Sequence, residues 1–296
     1  MTKLVPLLLF AATACTSSLD PATLIARDRI LGAKVTVDAD PSRAWPAPGE
    51  QSTITWITAS PGESPTFAWT LVACPAATTT GLPICGGPAF AHAAATGPVP
   101  MLSLLVPADL ETRTIVILGA ICASGNPLVD PETFAASCSD GSLADLVSQH
   151  VSIAHEGMTN HHPDLAGAPF TVAGAAWDAS NAGGCAGLPE VAAGTQDVIL
   201  AVEMEASTRE TFAIENDPTL WREELMLSPF ATAGEIRQRY AYIEASDDRP
   251  VSPVAVEWTA PDAEDVPAEG LRVTFDFVIR DMRGGVDAAT RALCVR

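Results

Sequence analysis

Residues 196–206 read QDVILAVEMEA, and the alternation in that stretch decides the fold class. Val198, Leu200, Val202 and Met204 fall on one side of an extended chain, while Glu203 and Glu205 fall on the other. Aliphatics on one face and acids on the opposite face, repeating every second residue, is the pattern of a half-buried antiparallel strand. Working outward, residues 169–177, 222–230, 237–245, 252–261, 271–281 and 288–296 supply further strand candidates on the C-terminal side. Towards the N-terminus, 30–38, 52–60, 66–74, 99–107, 112–123 and 150–157 do the same, with Pro, Gly and Ser clusters between them. One helix start competes with this reading. In DPTLWREEL, Asp217 can act as an N-cap with Pro218 at the first helical position, overlapping the candidate at 222–230. The stretch from Ser124 to Gln149 reads as a long loop with room for one helical turn. The expectation is an all-β chain of two antiparallel β-sandwich domains in tandem, 29–157 and 169–296. The polar, proline-containing segment 158–168 is read as their linker.

Composition supports packed cores and narrows the partners. Of 296 residues, 48% are hydrophobic and 18% charged, with 16 Lys plus Arg against 36 Asp plus Glu and a net charge of −20. So acidic a chain, with a pI near 4.4, lacks the clustered cations that hold phosphates, which excludes nucleic acid as a partner. Lys3 and Lys34 are the only lysines, so Schiff-base and Ser-Lys chemistry have almost nothing to work with.

Residues 1–14, MTKLVPLLLFAATA, place Lys3 before an apolar run and end in small residues, as a secretory signal peptide does. Ala12, Thr13 and Ala14 directly ahead of Cys15 resemble the lipobox of bacterial lipoproteins, with Ala12 where Leu is more usual. The resemblance implies cleavage after Ala14, acylation (palmitate among the chains) of Cys15 and, with Thr16 rather than Asp following, export to the outer membrane. Residues 15–28 would then be a lipidated tether. Several acyl chains at ~0.8 kcal/mol per buried methylene anchor a protein without a transmembrane helix. With Cys15 set aside, six cysteines remain, an even number suited to a disulfide framework in an exported protein. Fifteen pairings are open. Chain order suggests Cys74 with Cys85, Cys122 with Cys138, and Cys185 with Cys294.

The closing segment LRVTFDFVIRDMRGGVDAATRALCV, with Asp281, Gly284, Gly285 and Asp287 at its turn, resembles the final hairpin of PKD-like and related bacterial immunoglobulin-like domains. VTVDADPSRAWPAPGEQSTITWITAS and TFAWTLVAC resemble the first three strands of that class, and NHHPDL resembles its inter-module connectors. The Trp-Asp-Phe-Gly-Asp-Gly stretch that follows the third strand of PKD domains is missing. The resemblance implies immunoglobulin-like sandwiches and transfers no ligand.

Enzyme motifs fail when tested. His155-Glu156 opens an H-E-x-x-H, but Thr159 stands where the second histidine belongs. His150, His155, His161 and His162 crowd the inter-domain segment, where they could ligate zinc or copper or simply be solvated. Carboxylates at Asp247, Asp248, Asp262, Glu264, Asp265, Glu269, Asp276, Asp281 and Asp287 could assemble a calcium site, with a solvated acidic surface as the plainer alternative. His155, His161, His162, Asp281 and Asp287 are thus the metal candidates. Of the six tryptophans, Trp56, Trp69 and Trp258 read as core, whereas Trp45 and Trp221 could form an exposed sugar platform. No cofactor is expected. The expected function is a non-catalytic binding or assembly component, held to the membrane by its lipid and engaging another envelope protein or a surface glycan. The competing readings are a metal-dependent enzyme with its site at the domain junction and a purely structural spacer.

Overall fold

The computed structural model describes residues 21–62, 65–77, 84–129, 135–155, 157–179, 183–213 and 219–296. Residues 1–14, expected to be a signal peptide, and Cys15, Glu156, Asp217 and Pro218 lie outside the described residues. Within them the chain is almost entirely strand, with two short 3-10 turns and no α-helix.

The N-terminal half contains β1 (Arg29–Val37), β2 (Gln51–Ala59), β3 (Phe67–Pro75), β4 (Ala91–Gly97), β5 (Met101–Leu105), β6 (Thr114–Cys122), β7 (Pro127–Val129), β8 (Ala136–Cys138) and β9 (Asp145–Ser152). A sheet in the order β1-β2-β5 faces a sheet in the order β4-β3-β6-β9, and every pairing is antiparallel. Alternate residues point inward, so Val35, Ile54, Trp56, Leu71, Leu102 and Ile117 meet in one core between the sheets. The fourth strand escaped the sequence reading because AHAAATG carries little apolar volume and is mostly exposed at a sheet edge. The expected helical turn in the long loop is not found in its described part. There β7 and β8 form a hairpin, stapled to the end of β6 by the Cys122–Cys138 disulfide. The last strand begins at Asp145 rather than His150.

The C-terminal half contains β10 (Phe170–Val172), β11 (Ala175–Ala176), β12 (Glu190–Val191), β13 (Val198–Glu205), β14 (Thr211–Ala213), β15 (Leu220–Arg222), β16 (Leu225–Ala231), β17 (Glu235–Ile236), β18 (Ala241–Ile243), β19 (Val251–Thr259), β20 (Leu271–Arg280) and β21 (Val286–Val295). One sheet runs β11-β10-β13-β19-β17 and the other β12-β21-β20-β16-β18. The inward face of β13 is Val198, Leu200, Val202 and Met204, as its alternation requires. Trp177 and Trp258 pack edge-on against Phe275 at 5.2 and 5.1 Å between ring centroids, and Trp177 Nε1 donates to Ala292 O at 2.8 Å. The expected helix after Pro218 is overturned. Leu220–Arg222 instead pair with Thr211–Ala213 in a hairpin, because residues flanking a buried sheet gain more from extended pairing than from one capped turn. The cysteine pairs are those of chain order, Cys74–Cys85, Cys122–Cys138 and Cys185–Cys294.

The halves pack side by side. Lys34 and Ile57, on the outer face of the β1-β2 sheet, meet the β20-β21 hairpin, and a small apolar core of Ile25, Leu31, Ala59, Val278 and Val286 fills the contact. Part of the expected tether is therefore structural. Ile25 N–H donates to Ala231 O, Ala231 N–H donates to Thr23 O, and Ile25 is 0% exposed. Burying an isoleucine and satisfying two backbone groups outweighs the freedom a tether would keep.

Candidate functional site

Two places in this fold hold the chemistry worth testing, the polar junction between the halves and an open seam in the N-terminal sandwich. The junction is built on the turn between β20 and β21. Asp281 Oδ1 accepts the backbone N–H groups of Arg283 and Gly285, each at 2.8 Å, and its Oδ2 accepts Asn160 Nδ2 at 2.7 Å. Gly284 takes φ +111°, and a Cβ on Gly285 would lie 2.1 Å from Asp281 Oδ2, so the turn needs both glycines. That turn aims Arg283 into the contact. Its Nη1 donates to Glu223 Oε1 at 2.6 Å and Glu210 Oε2 at 3.1 Å, and its Nη2 donates to Thr159 O at 2.7 Å. The guanidinium lies 4.3 Å from the Phe212 ring centroid and 5.1 Å from that of Trp45, whose Nε1 donates to Arg283 O.

The neighbouring histidines and Asp287 are similarly committed. His161 Nδ1 bonds Glu210 Oε1. His162 Nδ1 accepts Val286 N–H, which leaves its Nε2–H to donate to Val35 O and fixes the neutral tautomer. Asp287 takes Lys34 Nζ at 2.8 Å and the N–H groups of Leu165 and Ala166. Burial holds His162 below the usual imidazole range. It also raises Asp281 against the hydrogen bonds from Asn160, Arg283 and Gly285. Glu223, 2% exposed, is pushed up to about 7 by burial, which outweighs the Glu210 N–H and the Arg283 charge, with the Asp281 charge adding to the rise.

The metal candidates do not converge. His155 Nδ1 faces Ile153 O, His161 and His162 hold different partners, and Asp281 and Asp287 are used on backbone N–H groups. Among the described residues no group of three or more His, Cys, Asp or Glu could hold a metal ion. The acidic stretch around Asp247 is likewise partnered, since Asp247 binds the Arg249 side chain and backbone. Trp45 is half-buried beneath Arg283, and Trp221 is 44% exposed on β15, so the two do not make a paired platform.

The seam is a feature that sequence reading missed. β1 and β9 are the free edges of the two facing sheets, and they do not pair with one another. Between them lies an open cavity of about 600 Å³ lined by Leu24, Arg27, Arg29, Trp56, Leu146 and Gln149 among others. Arg29 Nη1 is held by Ala22 O and Leu24 O, whereas the Arg27 side chain is exposed. The available signal was the Arg27/Arg29 pair, two cations at the start of the first strand of an acidic chain. In comparisons with known proteins, no family model and no curated protein matches this chain.

Proposed function

We propose that this chain is an exported, lipid-anchored cell-envelope protein, held at the outer membrane through Cys15. It works without catalysis as a rigid binding or assembly module of immunoglobulin-like sandwiches. The observation that carries the reading is the contrast between a junction whose charged groups are spent on internal hydrogen bonds and a seam where β1 and β9 face each other without strand pairing, with Leu31 O and Val35 O of the β1 edge capped by the Arg280 and His162 side chains. A β9 edge without a sheet partner, beside a trough of mixed polar and apolar lining, favours an extended segment of another protein, which adds main-chain hydrogen bonds to the edge and places alternate side chains in the trough. Arg27 at the trough favours an acidic side chain on that segment. Other features support the wider reading. Setting the β7-β8 hairpin aside, the N-terminal half has three strands facing four in antiparallel sheets, an arrangement shared with immunoglobulin-like sandwiches. Three disulfides suit an exported protein.

The test is a photo-crosslinking side chain at Ser148, in the seam, compared with one at Thr211 on the β14-β15 hairpin, in intact cells expressing the full chain. The reading expects one recurrent envelope protein joined at Ser148 and absent at Thr211. Equal capture at both positions, or none at Ser148, overturns the seam as the binding surface. The mass of the mature N-terminal peptide tests acylation separately.

A further inference from the structure

Pro21, Ala22 and Leu24 line the seam together with Leu146, and the strap Thr23–Ile25 is fixed by its two hydrogen bonds to Ala231. Only five residues separate Cys15 from Pro21, and the six steps between them span at full extension about 20 Å of chain. Cys15 is therefore confined to the neighbourhood of that end of the N-terminal sandwich, whatever path the intervening residues take.

That end carries unusual side chains for a surface. Leu143 is 89% exposed, Leu146 69%, Leu128 54% and Val129 46%. They belong to one rigid corner. Leu128 stands opposite Ser137 in the β7-β8 hairpin, Ser137 bridges to Leu143, and Leu143 leads into β9 three residues before Leu146. Residues directly opposite in antiparallel pairing project to the same face, so Leu128 and Leu143 share a side. The Cys122–Cys138 disulfide and the hydrogen bonds of Asp140 to Ser124 and Ser142 hold the corner in shape. Val129, next to Leu128 on β7, turns to the other face, over Trp69 and Ala94. Singly exposed leucines are ordinary, but three gathered within reach of the anchoring residue are not.

We infer that this corner is the membrane-facing surface of the protein, with Leu128, Leu143 and Leu146 resting in the headgroup and upper acyl region of the bilayer that takes the Cys15 lipid. The inference rests on the reading that Cys15 is acylated. Asp140 and Asp145 rim the corner, so the surface matches zwitterionic headgroups rather than anionic ones. In this orientation the protein is held near its waist, where the strap crosses between the halves. The β1-β9 seam opens beside the bilayer, within reach of a partner in the same membrane.

The full chain, purified from the membrane fraction and reconstituted in phosphatidylethanolamine-rich vesicles carrying a trace of acyl-chain diazirine phospholipid, tests this. Intact mass first reports the acylation of Cys15. Photolabelling is expected to concentrate on peptides covering 125–148, at least fivefold above peptides of the C-terminal half. Leu143→Ser with Leu146→Ser should lower it at least threefold. Leu220→Ser, at a leucine 70% exposed on the other half, should leave it unchanged. Acylated protein labelled evenly, or labelled mainly on the C-terminal half, overturns the orientation alone. Protein whose Cys15 carries no lipid overturns the anchoring reading and this inference with it.

Discussion

The contact between the halves and the seam between β1 and β9 are built from the same strand and behave oppositely. The β1 edge that faces away from β2 gives Leu31 O to Arg280, Val35 O to His162 and Val37 O to Asp40 N–H, while Lys34 reaches Asp287 from the outer face, so side chains of the C-terminal half and of segment 158–168 cap part of that edge. Towards β9 nothing pairs with it. The junction gathers a cation between two rings and two carboxylates, while the seam leaves backbone and an arginine to solvent. Polar groups buried with partners specify a unique arrangement, whereas polar groups left at an open edge are available to something else.

The sharpest way to break this contrast is Arg283→Ala. It removes the cation from Glu223 and Glu210, and stripping one partner from a buried pair costs about 3–5 kcal/mol. Chemical denaturation at pH 8 should show that loss, together with faster proteolysis of the now unpinned segment 158–166. A change under about 1 kcal/mol would mean the junction is incidental to stability.

Ile25→Ala tests the apolar side of the same junction. Truncating a fully buried isoleucine costs about 2–4 kcal/mol. Leu146→Ala, on the open side, should change the denaturation midpoint by under about 0.5 kcal/mol because its side chain already faces water. Equal costs at the two positions would show that the seam is closed in solution.

How far the sequence reaches is visible in these residues. Val198 to Met204 announced their strand because period-two alternation is local information, and chain order picked the three disulfides. The tether reading of residues 15–28 failed at Ile25, because a single apolar residue among polar ones carries no period and its partners, Val278 and Val286, lie some 250 positions away. Asp281 and the glycines at 284 and 285 were singled out as a turn, and the turn forms. The role of Arg283 was not legible, since its partners come from β14 and the residues flanking the β14-β15 hairpin, from segment 158–168 and from the loop before β2. His161 and His162 were noticed as a cluster, but adjacency in sequence sends them to Glu210 and to Val35 on opposite sides.

The last test concerns pH, and its sign separates two groups in the junction. Glu223 sits at about 7 in the fold against an ordinary 4.5, so between those values the folded chain keeps a proton that the unfolded chain has released. Stability therefore falls as pH rises through that window. His162 acts the other way. Its folded value lies below 6.5, so the unfolded chain binds the extra proton and stability rises as pH approaches 6.5. Because the two slopes oppose, the wild-type midpoint conceals both, and Glu223→Gln exposes one. Gln keeps an acceptor for Glu210 N–H and carries no charge. Measured from pH 5 to pH 8, the variant's stability relative to wild type should climb by about 2 kcal/mol, seen as a rise of several degrees in relative Tm. A difference that stays flat would place Glu223 in contact with water and the junction in the same class as the seam.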